Sequence, residues 1–285
     1  MNRTVDRTLI TDESFPYYIF VSDIHGNLET LELIERAKKD YPTALLVAGG
    51  DYVDGRAYVK EVLEYLMKQK AVILCGNHEQ MFLNYANQVE HQDGIWFYNS
   101  GDKTLLQLFG ELAEPEAIRQ SKYYQFLSDK PIMFETPNII FVHAGVRPDE
   151  FYNKPETYAQ KLDVHRHQYD YDFYRIWIRE PYLYSDPIKK IFAHNKTGKT
   201  IVTGHTPTAH ILGSYEDGTR VSSSELNPVV KIQYPGEPAR IFTDGGSHSD
   251  PLAYPHNDGN VVVLNSQGKL VKVYNYQNTL ANPEN

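Results

Sequence analysis

Three apolar runs near the start of the chain each end in a short polar cluster that contains glycine. The runs cover residues 17–21, 44–48 and 71–75, and residues 28–39 and 59–67 between them carry apolar side chains at helical spacing. A repeat of strand, polar loop and helix predicts a parallel sheet with right-handed crossovers. Ligands of such sheets bind beyond the carboxyl ends of the strands, which makes the polar clusters candidates for a site.

The rest of the sequence predicts one α/β domain over residues 1–285 with two additions. Residues 80–130 are predicted to be a helical cap insertion, whereas the aromatic-rich segment 151–191 has poor periodicity and predicts only loops and short helices. Two more buried strands end in polar clusters. These strands are predicted at 138–142 and 200–203, and strands of a second sheet are predicted at 229–233, 240–243, 261–264 and 270–274.

The composition disfavours several classes of protein. A net charge of −9 and a pI near 5.7 disfavour a nucleic-acid partner, because phosphate contacts require a basic surface. No run approaches about 18 apolar residues, so a membrane-spanning helix is not expected. The single cysteine, Cys75, cannot form an internal disulfide, and residues 1–12 lack the apolar segment of a signal peptide. We therefore expect a cytoplasmic protein with no nucleic-acid or membrane partner.

Polar residues with the chemistry of metal ligands follow five of the predicted strands. Asp23 and His25 alone are compatible with an ordinary turn that Asn27 closes as a helix cap. The same kind of residue at five glycine-flanked strand ends, at one edge of the sheet, favours a shared site over unrelated turns. The full set is Asp23, His25, Asp51, Asp54, Asn77, His78, His143 and His205.

This set contains carboxylates, imidazoles and an amide but no thiolate. Such donors suit two hard or borderline divalent cations better than a structural zinc ion. Asp51 lies in the middle of the series and is the natural candidate for a bridging carboxylate. Two cations about 3.5–4 Å apart can hold a hydroxide between them and clamp a phosphoryl oxygen for in-line attack.

The order, spacing and residue types of these clusters resemble the signature of the calcineurin-like metallophosphoesterases. Within that superfamily the motifs resemble the phosphoprotein phosphatase branch, which includes bacterial Ser/Thr phosphatases and symmetrical dinucleoside tetraphosphatases. Pro207 stands where other branches carry a second histidine. The motifs are Asp23-x-His25, Gly50-Asp51-x-x-Asp54, Gly76-Asn77-His78-Glu79, Val142-His143-Ala144-Gly145 and Gly204-His205-Thr206-Pro207.

The resemblance implies a four-layer α/β/β/α sandwich with two mixed β-sheets and a helical cap insertion. It also implies two divalent cations, with Mn²⁺ favoured over Fe, Zn, Ni or Mg, and a hydroxide that bridges them as the nucleophile. One cation would be held by Asp23, His25 and Asp51. The other would be held by Asp51, Asn77, His143 and His205.

The resemblance further suggests residues for proton transfer and phosphate binding. His78 would protonate the leaving oxygen while Asp54 orients it, and a plain metal ligand or loop cap is the alternative for His78. Arg179 matches a Trp-Ile-Arg-Glu segment of bacterial members and would grip the phosphate. The family usually has Asp-Arg-Gly where this chain has Asp54-Gly55-Arg56, so Arg56 is either a phosphate ligand or a solvated residue at a helix start.

Three functions fit these residues. The first is a dimetal phosphatase of the Ser/Thr phosphoprotein type, whose substrate is a phosphorylated protein or a small phosphorylated metabolite. The alternative keeps the site but hydrolyses symmetrical dinucleoside tetraphosphates or another small phosphate. A non-catalytic scaffold is disfavoured because every ligand and the acid are present. Histidines in polar loops are expected to be exposed or hydrogen-bonded: His165, His167, His194, His248 and His256.

Overall fold

The fold is described from a computed structural model over residues 3–5, 7–146, 171–212, 227–249, 252, 258–275 and 280–281. Residues 151–170 of the predicted irregular segment 151–191 lie outside the described residues, and with them His165 and His167. His256 also lies outside the described residues.

Strands and helices alternate through most of the described chain. The strands are β1 Arg3–Val5, β2 Thr8–Ile10, β3 Tyr17–Val21, β4 Leu45–Ala48, β5 Ala71–Ile73, β6 Met133–Glu135, β7 Ile139–Val142, β8 Tyr184–Asp186, β9 Ile191–Phe192, β10 Thr200–Thr203, β11 Val229–Ile232, β12 Arg240–Phe242, β13 Val261–Asn265, β14 Leu270–Tyr274 and β15 Leu280–Ala281. The helices are α1 Leu28–Asp40, α2 Val59–Met67, α3 Asn77–Ala86, α4 Gln92–Tyr98, α5 Gly101–Phe109, α6 Pro115–Arg119, α7 Lys122–Leu127, α8 Tyr171–Trp177, α9 Glu180–Leu183 and α10 Thr208–Leu212.

The strands form two large mixed sheets and one small hairpin. The five-stranded sheet has the order β14-β13-β3-β4-β5, and the eight-stranded sheet has the order β1-β2-β6-β7-β10-β12-β11-β15. Strands β3, β4 and β5 are parallel, as predicted, whereas β13 runs antiparallel to β3. The remaining pair, β8 and β9, is antiparallel.

The predicted assignment of strands to sheets is wrong in two places. Strands β7 and β10 belong to the eight-stranded sheet, so the five polar strand ends come from two sheets and not from one edge. Strands β13 and β14, predicted for the second sheet, extend the first, because 261–265 pair with 17–21 along their whole length. The reason is that β7, β10 and β13 are buried on both faces, so their sequences do not show which sheet they join, and β14 follows β13 as its antiparallel partner.

Three apolar cores separate the layers. Alternate residues of β3 illustrate the arrangement: Ile19 and Val21 pack with the helices outside the five-stranded sheet, whereas Tyr18 and Phe20 point between the sheets. There Phe20 stacks on Phe141 of β7. A third core lies between the eight-stranded sheet and the helices that follow residue 171. The predicted four-layer α/β/β/α sandwich with two mixed sheets is thereby confirmed.

The helices on the five-stranded sheet begin and end where the sequence indicates. Asn27 caps α1, since its side chain accepts a hydrogen bond from the backbone N–H of Thr30 at 2.9 Å.

The segment predicted as a helical cap insertion contains most of α3 and all of α4 to α7. Within the described ranges, no helix is both long and apolar enough to cross a membrane.

Candidate metal centre

Loops at the carboxyl ends of β3, β4, β7 and β10 and the start of α3 after β5 bring the predicted site residues together. Several of these residues have positive φ angles, a region of backbone space that costs non-glycine residues about 1–3 kcal/mol and that clusters at functional sites. The packed strands on either side must therefore hold the loops in place. The residues are Asp23 (54°), His25 (47°), Asp51 (59°), Asp54 (65°) and His205 (67°).

Two groups of buried donors share Asp51. Asp23, His25 and Asp51 have one donor atom each within 4.8 Å of the others, and the same holds for Asp51, His143 and His205. Asp51 Oδ2 lies 3.7 Å from His25 Nε2 and 3.2 Å from His143 Nε2. One carboxylate oxygen therefore stands between the two groups, in the position that a bridging ligand requires.

Three of the histidines are oriented by backbone carbonyl groups. His25 Nδ1 lies 2.9 Å from the Val53 oxygen, and His143 Nδ1 lies 2.9 Å from the Gly49 oxygen. His205 is turned the other way, with Nε2 at 3.0 Å from the Trp177 oxygen. A ring nitrogen that donates to a carbonyl leaves the other nitrogen as an acceptor, which is how metal-binding histidines are held.

The amide of Asn77 also faces acceptors. Its side-chain oxygen lies 3.0 Å from His143 Nε2, 3.2 Å from Asp51 Oδ2 and 2.9 Å from His205 Nδ1. Turning the amide over would offer a hydrogen-bond donor to these atoms, whereas a cation between them satisfies the orientation as it stands. The chemistry of the donor set therefore fits a divalent cation.

Buried negative charge around the site points the same way. Burial raises the pKa of Asp23 to about 6, and the charge of Asp51 adds to the shift against the opposing effect of His143. Burial and the Asp23 carboxylate raise the pKa of Asp244 well above its ordinary value. Divalent cations would supply the positive charge that stabilises the ionised form of these buried carboxylates.

His78 differs from the other histidines because its partner is a carboxylate. Its Nδ1 lies 2.6 Å from Asp54 Oδ2, and its Nε2 lies 3.9 Å from Asp51 Oδ2. Burial lowers the pKa of His78, but the charges of Asp51 and Asp54 and the Asp54 hydrogen bond overcome that effect and raise it to about 9. The ring can therefore carry a proton near neutral pH and present it from Nε2.

Two glycines allow the loops to approach one another. A Cβ atom on Gly204 would lie 1.9 Å from Asp23 Oδ2, and one on Gly76 would lie 2.2 Å from Asp51 Oδ1. No side chain fits at either place, so the glycines of the Gly-Asn-His-Glu and Gly-His-Thr-Pro motifs are required by the space between loop and carboxylate.

Glu79 links the loop after β4 to the loop before α3, a role that its place in the motif alone does not indicate. Its carboxylate accepts hydrogen bonds from the backbone N–H groups of Asp51 at 2.6 Å, Tyr52 at 2.7 Å and Gly76 at 3.0 Å. Glu79 is fully buried. This one side chain therefore sets the distance between the bridging carboxylate and α3.

Replacing Glu79 by Gln is expected to destabilise the fold, and it leaves the side chain of every candidate metal ligand in the sequence. The amide NH₂ group would face backbone N–H donors, and a buried charged hydrogen bond is worth about 1.5–3 kcal/mol. We expect the free energy of unfolding in urea to fall by about 2–4 kcal/mol. The exposed Glu116→Gln change is the control. Equal stability of both variants would contradict a stabilising role of the Glu79 hydrogen bonds.

The two predicted phosphate-binding arginines occupy different surroundings. Arg179, just before α9, is half-buried, and its Nη1 lies 2.6 Å from the His205 backbone oxygen and 3.1 Å from Thr206 Oγ1. Arg56 directs its Nε to the Ser247 backbone oxygen at 3.1 Å. Arg179 therefore lies beside a candidate ligand, whereas Arg56 contacts the loop that follows β12.

His248, expected only to be an exposed or hydrogen-bonded loop histidine, lies at the site. Its ring centre is 4.7 Å from that of His25 and 5.0 Å from that of His78, and the ring bonds to the Asn99 backbone. Two signals were available in the sequence: the residue follows an apolar strand, and it stands beside glycines in Asp244-Gly245-Gly246-Ser247-His248. His194, in contrast, pairs with Glu237 at the surface, as expected.

Sequence comparisons identify one family and one relative. The family model for calcineurin-like phosphoesterases matches residues 17–246, a range that includes every candidate ligand. The Shewanella-like protein phosphatase 1 of Plasmodium berghei (strain Anka) is 29% identical over 154 residues, which are 45% of this chain. The match spans 38% of that relative, so this chain corresponds to less than half of its length.

Two solved structures share the fold. A cold-active protein tyrosine phosphatase has a TM-score of 0.55 at 16% identity, over 96% of this chain and 80% of that one. A candidate diadenosine tetraphosphatase has a TM-score of 0.50 at 17% identity, over 94% of this chain and 97% of that one. At these identities the likeness shows the fold alone.

Proposed function

Because this chain belongs to the calcineurin-like phosphoesterase family, we propose that it is a metal-dependent phosphatase that hydrolyses phosphate monoesters with two divalent cations. The observation that carries the proposal is the position of Asp51 Oδ2 between His25 Nε2 and His143 Nε2. When bound, the two cations supply charge to the phosphate and lower the pKa of the attacking water.

The proposed ligands follow the two groups of donors. Asp23, His25 and Asp51 hold one cation, and Asp51 with Asn77, His143 and His205 holds the other. The donor set of oxygen and imidazole nitrogen, without thiolate, supports Mn²⁺ over softer ions.

Three further residues act on the substrate in this proposal. His78 gives a proton from Nε2 to the leaving oxygen, and Asp54 keeps the ring protonated at Nδ1 and aimed at the site. His78 belongs to neither of the two donor groups that share Asp51, which supports this role over that of a plain metal ligand. Arg179 neutralises and orients the phosphate next to His205.

The proposed substrate is a phosphorylated protein or a small phosphorylated metabolite. The name of the Plasmodium relative supports a protein phosphatase. A dinucleoside tetraphosphate would use the same cations, and rate comparison separates the two classes.

Removal of metal tests the proposal directly. Protein treated with EDTA is expected to lose hydrolysis of p-nitrophenyl phosphate, and Mn²⁺ is expected to restore it with two ions per chain by elemental analysis. Absence of turnover with any divalent ion in folded protein would refute the proposed phosphatase activity. Turnover that survives metal removal would refute the proposed role of the cations.

Substrate class is read from kcat/KM on a phosphoserine peptide, a phosphotyrosine peptide, p-nitrophenyl phosphate and diadenosine tetraphosphate under the same conditions. We expect the monoesters to be preferred by about tenfold or more. A preference for the tetraphosphate would replace the proposed substrate and leave the metal chemistry standing.

A further inference from the structure

The carboxylate that orients His78 is held by two residues of the helical insertion. Asp54 is fully buried, and besides His78 it accepts hydrogen bonds from Trp96 Nε1 at 3.1 Å and Thr104 Oγ1 at 2.5 Å. Trp96 belongs to α4 and Thr104 to α5, and both are fully buried. All three donors reach one carboxylate, so its two oxygens are fixed in direction.

Thr104 holds the backbone of Asp54 as well as its side chain. The Thr104 hydroxyl accepts a hydrogen bond from the Asp54 N–H at 2.9 Å while it donates to Oδ1. Asp54 has a φ of 65°, in the region that L residues rarely adopt. One hydroxyl therefore stabilises an unfavourable backbone conformation and the carboxylate that this conformation presents.

The indole is itself clamped between the helices. A Cβ atom on Gly101, the first residue of α5, would lie 2.3 Å from the Trp96 ring, so α5 begins directly against it. Phe82 of α3 meets the same ring edge-on at 5.6 Å between centres. Trp96 thus has little freedom to turn its N–H away from Asp54.

We propose that Trp96 and Thr104 are positioning residues for the reaction: they orient Asp54, and through it the His78 nitrogen that faces the leaving oxygen. The inference rests on the proposed function of His78. It gives the insertion a part in the chemical step in addition to any part in substrate binding. A purely structural reading, in which the insertion only satisfies a buried carboxylate, predicts lower stability and no selective effect on kcat.

The test compares Thr104→Val with Thr104→Ser, since valine keeps the shape and serine keeps the hydroxyl. For a substrate with a poor leaving group, such as a phosphoserine peptide, we expect Thr104→Val to lower kcat by about tenfold with KM and metal content unchanged. For p-nitrophenyl phosphate the loss is expected to stay within about threefold. Thr104→Ser is expected to lie within about twofold of the original protein on both substrates.

Trp96→Phe provides a second variant that removes the N–H and keeps an aromatic ring. For the phosphoserine peptide we expect Trp96→Phe to lower kcat by about threefold, with a smaller loss for p-nitrophenyl phosphate. This variant tests the inference if Thr104→Val does not fold. Equal losses on both substrates, a fall in metal content, or a Thr104→Ser protein as impaired as Thr104→Val would overturn the inference.

A measurement without substrate separates this inference from the proposed function. In protein loaded with a diamagnetic ion, Zn²⁺ or Mg²⁺, the short His78–Asp54 hydrogen bond should place the His78 Nδ1 proton far downfield in the proton NMR spectrum, and its absence in His78→Asn assigns the signal. Thr104→Val is expected to move the signal, whereas Thr104→Ser is expected to leave it in place. An unchanged signal in Thr104→Val overturns the inference, and lack of metal-dependent turnover in the original protein overturns the proposed function instead.

Discussion

Replacing Asp51 by Asn is expected to remove both cations and to lower kcat by roughly 10³-fold or more. The carboxylate is the one group shared by both sets of donors, with Oδ2 at 3.7 Å from His25 Nε2 and 3.2 Å from His143 Nε2. An amide keeps the shape but loses the charge, and with its oxygen at the Oδ2 position its NH₂ group would face the backbone N–H of His78, which donates to Asp51 Oδ1 at 3.0 Å.

Metal content distinguishes a bridging residue from a ligand of one cation. Asp23→Asn is the matched control, because Asp23 belongs to one group only and its loss is expected to leave about one ion per chain. Elemental analysis after dialysis against a fixed Mn²⁺ concentration gives both numbers. Two ions per chain in Asp51→Asn would show that the carboxylate does not bridge.

Replacing His78 by Asn is expected to keep both cations and to slow the chemical step. Loss of a general acid costs about 10²–10⁴-fold for a leaving group that requires a proton, and much less for p-nitrophenolate, which leaves unaided. The comparison therefore uses kcat on a phosphoserine peptide and on p-nitrophenyl phosphate, with metal content measured in the same preparations.

A histidine–carboxylate pair outside the site provides the control for His78. His194 lies 2.8 Å from Glu237 at the surface, so His194→Asn breaks a similar pair and is expected to leave both rates unchanged. If His78→Asn loses the same factor on both substrates, the proton-donor role is wrong and the alternative of a plain metal ligand or loop cap stands, which the metal content of the variant distinguishes.

The sequence predicted the family and the fold class, and both predictions are confirmed. Local rules were sufficient for this: an apolar run ends at Val21, Asn27 caps the next helix, and the ligand types stand in a recognisable order. Sheet membership was not predictable, because the pairing of 17–21 with 261–265 joins segments far apart in the chain that look like any other buried strand.

The residues that the sequence analysis missed act across the fold. Trp96 and Thr104 reach Asp54 from 42 and 50 residues away in the sequence. Their donors have no motif, since any buried N–H or O–H can serve a carboxylate. His248 follows an apolar strand and stands beside glycines, but these two signals do not show which rings it will meet.

The origin of the ligands in two different sheets has a consequence for how the protein is assembled. Asp51 follows a strand of the five-stranded sheet, whereas His143 and His205 follow strands of the eight-stranded sheet. A cation held by these three residues would link the two sheets directly. The free energy of cation binding would then contribute to the free energy of folding, so the supply of metal would affect the stability of the protein as well as its catalytic rate.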